Sequence, residues 1–179
     1  MTRPEHDAAG DAVRAVSTDA ERATQLIASL ALQPHPEGGF YRQLYRSDSQ
    51  VQPGDARPGR QALTTIYFLL RAEDLSRWHV VLSDEVWHFY EGAPLELFTA
   101  DASFAEISRH LLGEVSADTA PVHVVPARRW QAARSTGAYT LVGCTVAPGF
   151  DFADFSMMRD DAAGAEHVRR THPWAAAFI

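Results

Sequence analysis

The stretch Arg77-Trp78-His79-Val80-Val81-Leu82-Ser83-Asp84-Glu85-Val86-Trp87-His88-Phe89-Tyr90-Glu91-Gly92 decides how this chain is read. Its two halves are rich in β-branched and aromatic residues, and Leu82-Ser83-Asp84 separates them. Such runs, punctuated by a turn, predict two β-strands. A tight hairpin turning near Leu82 is expected, with His79 and Glu85 about opposite each other on neighbouring strands. Opposed side chains share a face, with Cβ atoms roughly 5 Å apart. Alternation adds Val81, Trp87 and Phe89 to that face and turns His88 and Tyr90 away. A base and a carboxylate are thereby expected in one interior.

Short strands continue on both sides. Residues 40–45, 62–70, 95–100, 104–112, 122–126, 130–134 and 138–147 read as strands, most of them bounded by Gly, Pro or Asp. Strands this short and this closely spaced predict an all-β sandwich or barrel. Residues 48–60 read as a loop. Ahead of the strands, Thr18-Asp19-Ala20-Glu21 matches a capping box, and Leu26, Ile27 and Leu30 follow at helical spacing. One amphipathic helix is therefore expected over about 18–31. Residues 1–17 lack periodicity and read as a flexible tail. Residues 158–170 read as a short C-terminal helical segment, and 18–179 as a single domain.

The chain of 179 residues suits one domain with a sizeable core. No apolar run approaches the roughly 20 residues of a membrane span. The opening MTRPEHDAAGDAVRAV has no signal-peptide pattern, and one cysteine, Cys144, permits no disulfide within the chain. A cytoplasmic location is the expectation, with Cys144 a buried structural thiol in LVGCTV. Every basic residue is arginine. The absence of lysine excludes Schiff-base lysine chemistry and any P-loop. A net charge of −7 argues against nucleic acid as the main partner.

The quoted stretch resembles the first cupin motif, in which two histidines, a glutamate and a later glycine follow fixed spacings. His79, Glu85 and Gly92 fill three of these places, and Val81 stands where the second histidine would be. Pro126-Ala127-Arg128-Arg129-Trp130-Gln131 matches the second motif, with Gln131 in place of its histidine. A broader resemblance rests on PHPEGGFYRQLYRS, SRWHVVLSDEVWHFYEG, VPARRWQAAR and LVGCTVAPGFDFADF. Together these segments resemble the cupin family whose members are often labelled predicted sugar epimerases. That resemblance implies a double-stranded β-helix, or jelly-roll barrel, usually paired as a homodimer, with a small-molecule ligand in the barrel. It implies little about activity.

Two of the four usual metal ligands are lost, so no cofactor is favoured. If a divalent metal is held, His79, Glu85 and the Gln131 amide would hold it. Metal-free cupin epimerases resemble the alternative, in which a histidine base removes a proton beside a carbonyl and a tyrosine returns one. His79 would be the base, oriented by Glu85, and Tyr67, Tyr90 or Tyr139 the acid. Glu37, Arg42, Trp87, Phe89 and Gln131 are the expected substrate contacts, and Asp151 and Asp154 are expected to fix a loop. A metal-dependent enzyme and a non-catalytic metabolite-binding barrel remain as alternatives.

Overall fold

The computed structural model describes residues 18–179; the expected tail, 1–17, lies outside the described residues. The chain begins with helix α1 (Asp19–Ser29). The strands follow in order: β1 (Gln33–Pro34), β2 (Phe40–Arg46), β3 (Gln50–Val51), β4 (Arg60–Gln61), β5 (Thr64–Arg71), β6 (Leu75–Val81), β7 (Asp84–Gly92), β8 (Leu95–Ala100), β9 (Ile107–Leu112), β10 (Val122–Val125), β11 (Trp130–Ser135), β12 (Tyr139–Ala147) and β13 (Phe155–Met157). Helix α2 (Ala162–Thr171) and a 3-10 helix at Pro173–Phe178 close the described chain.

Two antiparallel sheets face each other, the arrangement of a jelly-roll barrel. One has the order β1-β2-β5-β12-β7-β10, the other β13-β6-β11-β8-β9. Phe68, Leu70, Trp87, Val142 and Cys144 of the first sheet meet Leu95, Leu97 and Ala133 of the second to form the interior core. Both outer faces are covered in part. The capping box sets α1 in place, with Thr18 and Glu21 each bonding the other's backbone N–H. The helix packs Ala23 and Leu26 onto Leu69 and Leu141. On the other side, Ala165 and Val168 of α2 and Phe178 cover Trp78, Phe98 and Ala100.

This layering accounts for β8, every residue of which is buried. Alternate residues face the interior and α2, and neither face reaches water. The segment 48–60, expected as a loop, carries the two-stranded ribbon of β3 and β4.

The expected hairpin is corrected. β6 and β7 do not pair; they belong to opposite sheets, and the chain crosses between them at Leu82-Ser83. His79 lies beside Gln131 of β11 and Met157 of β13, whereas Glu85 lies beside Val125 of β10 and Val146 of β12. A two-residue link serves either a hairpin or a corner between sheets, and periodicity is the same in both.

Candidate functional site: a buried imidazole–carboxyl cluster

Between the sheets lies a cavity of about 240 Å³ whose wall includes His35, Glu37, His79, Glu85, Tyr41 and Cys144. Local chain geometry assembles it. In β6 the register slips: Ser76 faces Ala133 while His79 faces Gln131, so β6 carries one residue more than its partner between these points. Such a bulge interrupts alternation. It lets Ser76 and His79, three apart, both serve the interior, while Trp78 turns outward and donates its indole N–H to the Ala175 carbonyl at 3.1 Å.

Glu37 arrives from the turn before β2. Gly38 and Gly39 have φ of +115° and +67°, the left-handed region that glycine alone enters freely. A Cβ at Gly38 would lie 2.1 Å from the Leu75 carbonyl oxygen. This close approach lets Arg77 donate its backbone N–H to the Glu37 carbonyl at 3.0 Å. The turn is thus stitched to β6, and Glu37 is carried inside.

The Glu37 carboxyl is buried. Its Oε1 accepts from Ser76 Oγ at 2.8 Å, and its Oε2 lies 3.3 Å from His79 Nε2 and 3.5 Å from His35 Nδ1. The tautomers follow from the partners. His79 Nδ1 lies 2.7 Å from the Arg77 carbonyl, which only accepts, so Nδ1 carries the proton. His35 Nδ1 accepts the backbone N–H of Glu37 at 3.3 Å and is bare. In neutral His79, Nε2 is bare too. Its 3.3 Å contact with Glu37 Oε2 is therefore that of a bare ring nitrogen beside a carboxyl, and a proton on either atom would lie between them.

Burial pushes the Glu37 carboxyl up and the His79 imidazole down, so both move toward their uncharged forms. Burial likewise lowers His35, and the neighbouring His79 adds to this. Glu85 is raised by burial first, opposed by the His79 charge, and raised further by Glu37. Its Oε2 accepts from Gln131 Nε2 at 2.6 Å. The Gln131 amide oxygen in turn accepts from Trp87 Nε1 at 3.0 Å. An indole N–H only donates, which fixes the orientation of the amide.

This geometry revises several expectations. The direct partner of His79 is Glu37, not Glu85, whose influence on His79 is through charge. Glu37, His79 and Glu85 all line the cavity. Gln131 lies behind Glu85, and Trp87 and Phe89 pack in the core away from the cavity wall. Arg42 is on the outer face, where Nη1 donates to the Leu30 carbonyl at 3.1 Å. None of the tyrosines expected as an acid lines the cavity. Tyr67 and Tyr90 contact each other edge-to-face, with Tyr67 packed on the α1 side. Tyr139 donates its hydroxyl to Glu91 Oε1 and is pushed up to about 12 by burial and that bond. The tyrosine that reaches the cavity is Tyr41, packed edge-to-face on His35 at 4.5 Å. His35 and Tyr41 escaped the sequence reading, although both lie in PHPEGGFYRQLYRS.

The donors do not fit a metal ion. Among the described residues no three His, Cys, Asp or Glu side chains are placed to hold one. The Gln131 oxygen is turned to Trp87, and its amide nitrogen faces Glu85. Among the described residues, no helix is long and apolar enough to cross a membrane.

The chain is similar to several proteins of known structure. A protein from Leishmania major is 30% identical, with 88% of this chain and 96% of that chain covered and a TM-score of 0.75. One from Shewanella oneidensis is 33% identical, with 87% and 92% covered and a TM-score of 0.73. A cupin 2 conserved barrel domain protein from Rhodopseudomonas palustris shares the fold at 14% identity, with a TM-score of 0.52 and 82% and 84% covered. Among curated proteins none matches the chain. Residues 24–158 match the family described as cupin superfamily (DUF985), and the chain belongs to that family.

Proposed function

We propose that this protein is a metal-independent enzyme that moves a proton at a carbon beside a carbonyl, in the manner of an epimerase or isomerase acting on a sugar or related compound. The observation that carries the reading is the Glu37–His79 pair, 3.3 Å apart and buried at the wall of the cavity. One proton serves two basic atoms there. A proton taken from carbon leaves a positive charge on the pair opposite the negative charge of the enolate formed beside it, so the two offset each other. Burial, which disfavours either charge alone, moves both groups toward the range a general acid–base needs near neutrality.

Glu85 supplies the second requirement. It comes from the sheet opposite β6, so a proton removed at one wall has a second carboxyl at the other from which it can be returned. The donors Gln131 and Ser76 keep the two carboxyls in fixed orientation. Occupation of the Gln131 oxygen by Trp87 supports chemistry without a resident metal.

The test is deuterium exchange in heavy water, read by NMR, across hydroxyketones and keto-sugars. Wild type should exchange the proton beside the carbonyl of its substrate. His79→Ala and Glu37→Gln should each slow that exchange about 10²–10⁴-fold, the usual contribution of a positioned acid or base. Exchange at the wild-type rate in both variants would sink the reading. A ligand bound tightly and recovered without deuterium would make the barrel a binding module instead.

A further inference from the structure

The cavity wall contains two carboxyls and two imidazoles but, among the described residues, no arginine. The chain has no lysine. Three arginines of the neighbouring loops are engaged by carboxylates, and Arg46, opposite the cavity-lining Thr64, is exposed outside the wall. Arg60 donates to both oxygens of Asp154 at 2.7 and 2.9 Å, and Arg57 bonds Asp154 and Asp55. Arg128 is held by Asp55. Arg42 points outward. A buried anion is held best by a paired cation; this wall has neutral donors in Tyr41, Gln43 and Thr64 but sets two acidic groups beside them and no arginine.

The mouth is aromatic. Phe150, Phe152 and Phe155 contact one another edge-to-face with centroids 5.0–6.1 Å apart, and Phe155 lies 5.4 Å from the His79 ring. Phe152 is 56% exposed although it lines the cavity, so an apolar surface continues from the acid–base cluster to solvent. An exposed apolar rim beside a polar centre suits a ligand with the same division.

We infer that this cavity takes an uncharged carbonyl compound bearing an apolar substituent, and that it rejects phosphorylated, carboxylated and nucleotide-linked sugars. The inference rests on the reading above in taking this cavity as the substrate site, and it narrows the sugar class to neutral members. Recognition has three parts. The Glu37–His79 pair and Glu85 meet the carbonyl and hydroxyl groups, the phenylalanines cover the apolar end, and the missing cation excludes anions.

The test uses one carbon skeleton in four charge states: 2-hydroxyacetophenone, its ring carboxylate, its phosphate ester and its ring trimethylammonium derivative. Calorimetry and thermal shift are run on the wild-type protein, and NMR of the His35 and His79 imidazoles locates the bound parent. The neutral parent should bind and shift both imidazoles. The two anions should bind at least about tenfold more weakly, and the cation no tighter than the parent. An anion that binds as well as the parent, a cation about tenfold tighter, or no binding of the parent would each overturn the inference. Binding alone is read, so the two proposals fail separately. A bound neutral ligand with no deuterium exchange removes the proton-transfer reading and leaves this one. An anionic substrate that exchanges does the reverse.

Discussion

At the scale of single residues, the site is a set of donors counted against acceptors. Among the described residues, no buried side-chain nitrogen or oxygen lacks a hydrogen-bond partner. Gln131 shows what that balance costs to disturb. It joins the Trp87 indole to the Glu85 carboxyl, and all three are buried. Gln131→Leu keeps the volume but orphans an N–H and a carboxyl. It should destabilise the protein by about 1–3 kcal/mol in urea unfolding, chiefly because the core indole N–H loses its partner without regaining water, while Glu85 still faces the cavity. Adding Trp87→Phe should lower the further cost of the Leu substitution, because the orphaned N–H is gone; strictly additive losses would deny the link. The same burial sets the pH profile. His79 is held below the ordinary 6.5 and Glu37 above the ordinary 4.5. On the proposed mechanism the singly protonated pair is the working form, lost on the acid side only when a second proton enters. Exchange activity should therefore persist below pH 6.5 before falling, and a midpoint at or above that value would contradict the burial argument.

At the scale of elements, the turn before β2 decides whether the site exists. Gly38→Ala would place a methyl 2.1 Å from the Leu75 carbonyl at a φ of +115°. The backbone must move, by strain worth about 1–3 kcal/mol, and Glu37 moves with it. The expected result is a modest fall in melting temperature with a loss of exchange approaching that of Glu37→Gln. Melting and exchange measured on the same preparation check this, and full activity in Gly38→Ala would show that the turn does not position Glu37. These elements also explain what the sequence disclosed. Strand boundaries were legible because Gly, Pro and Asp punctuate them; β8 was expected at 95–100 and spans Leu95–Ala100. The pairing of β6 with β7 was misread, because alternation states which face a residue takes and not which sheet its strand joins. The β6 bulge was equally hidden, for one extra residue leaves no mark in composition. His79 and Glu85 were brought together by a hairpin register that the structure replaces and by the motif spacing, and both line the cavity. The Glu37–His79 contact spans 42 positions, and only the glycine pair after Glu37 hinted that the chain approaches another backbone there.

At the scale of the whole molecule, the barrel keeps its mouth in shape by a strap. Arg57, between β3 and β4, and Arg60, the first residue of β4, reach across to Asp154, which lies just before β13. Arg57 and Arg60 converge on that carboxylate, and Arg57 also donates to Ser83 at the corner between the sheets. Asp154, expected to fix a loop, thus ties the ribbon, the corner and the aromatic mouth together. Its pairs are shielded, with side-chain exposures of 3% for Asp154, 13% for Arg57 and 9% for Arg60. Removing one partner leaves guanidinium charge facing a site built for an anion, so Asp154→Asn should destabilise by about 2 kcal/mol near neutral pH. The pH dependence has a definite sign. The Arg60 and Arg57 hydrogen bonds hold Asp154 below its ordinary 3.8. A carboxyl whose folded value is depressed stabilises fully above the unfolded value and loses that stabilisation as pH falls through the folded one. The gap between wild type and Asp154→Asn should therefore be equal at about pH 7 and about pH 5 and shrink by about pH 3. Urea titrations at the three values measure it. A gap that closes between pH 7 and pH 5 would assign the stabilisation to an imidazole instead, and one that stays constant to pH 3 would show that the charge of Asp154 is not what holds the strap.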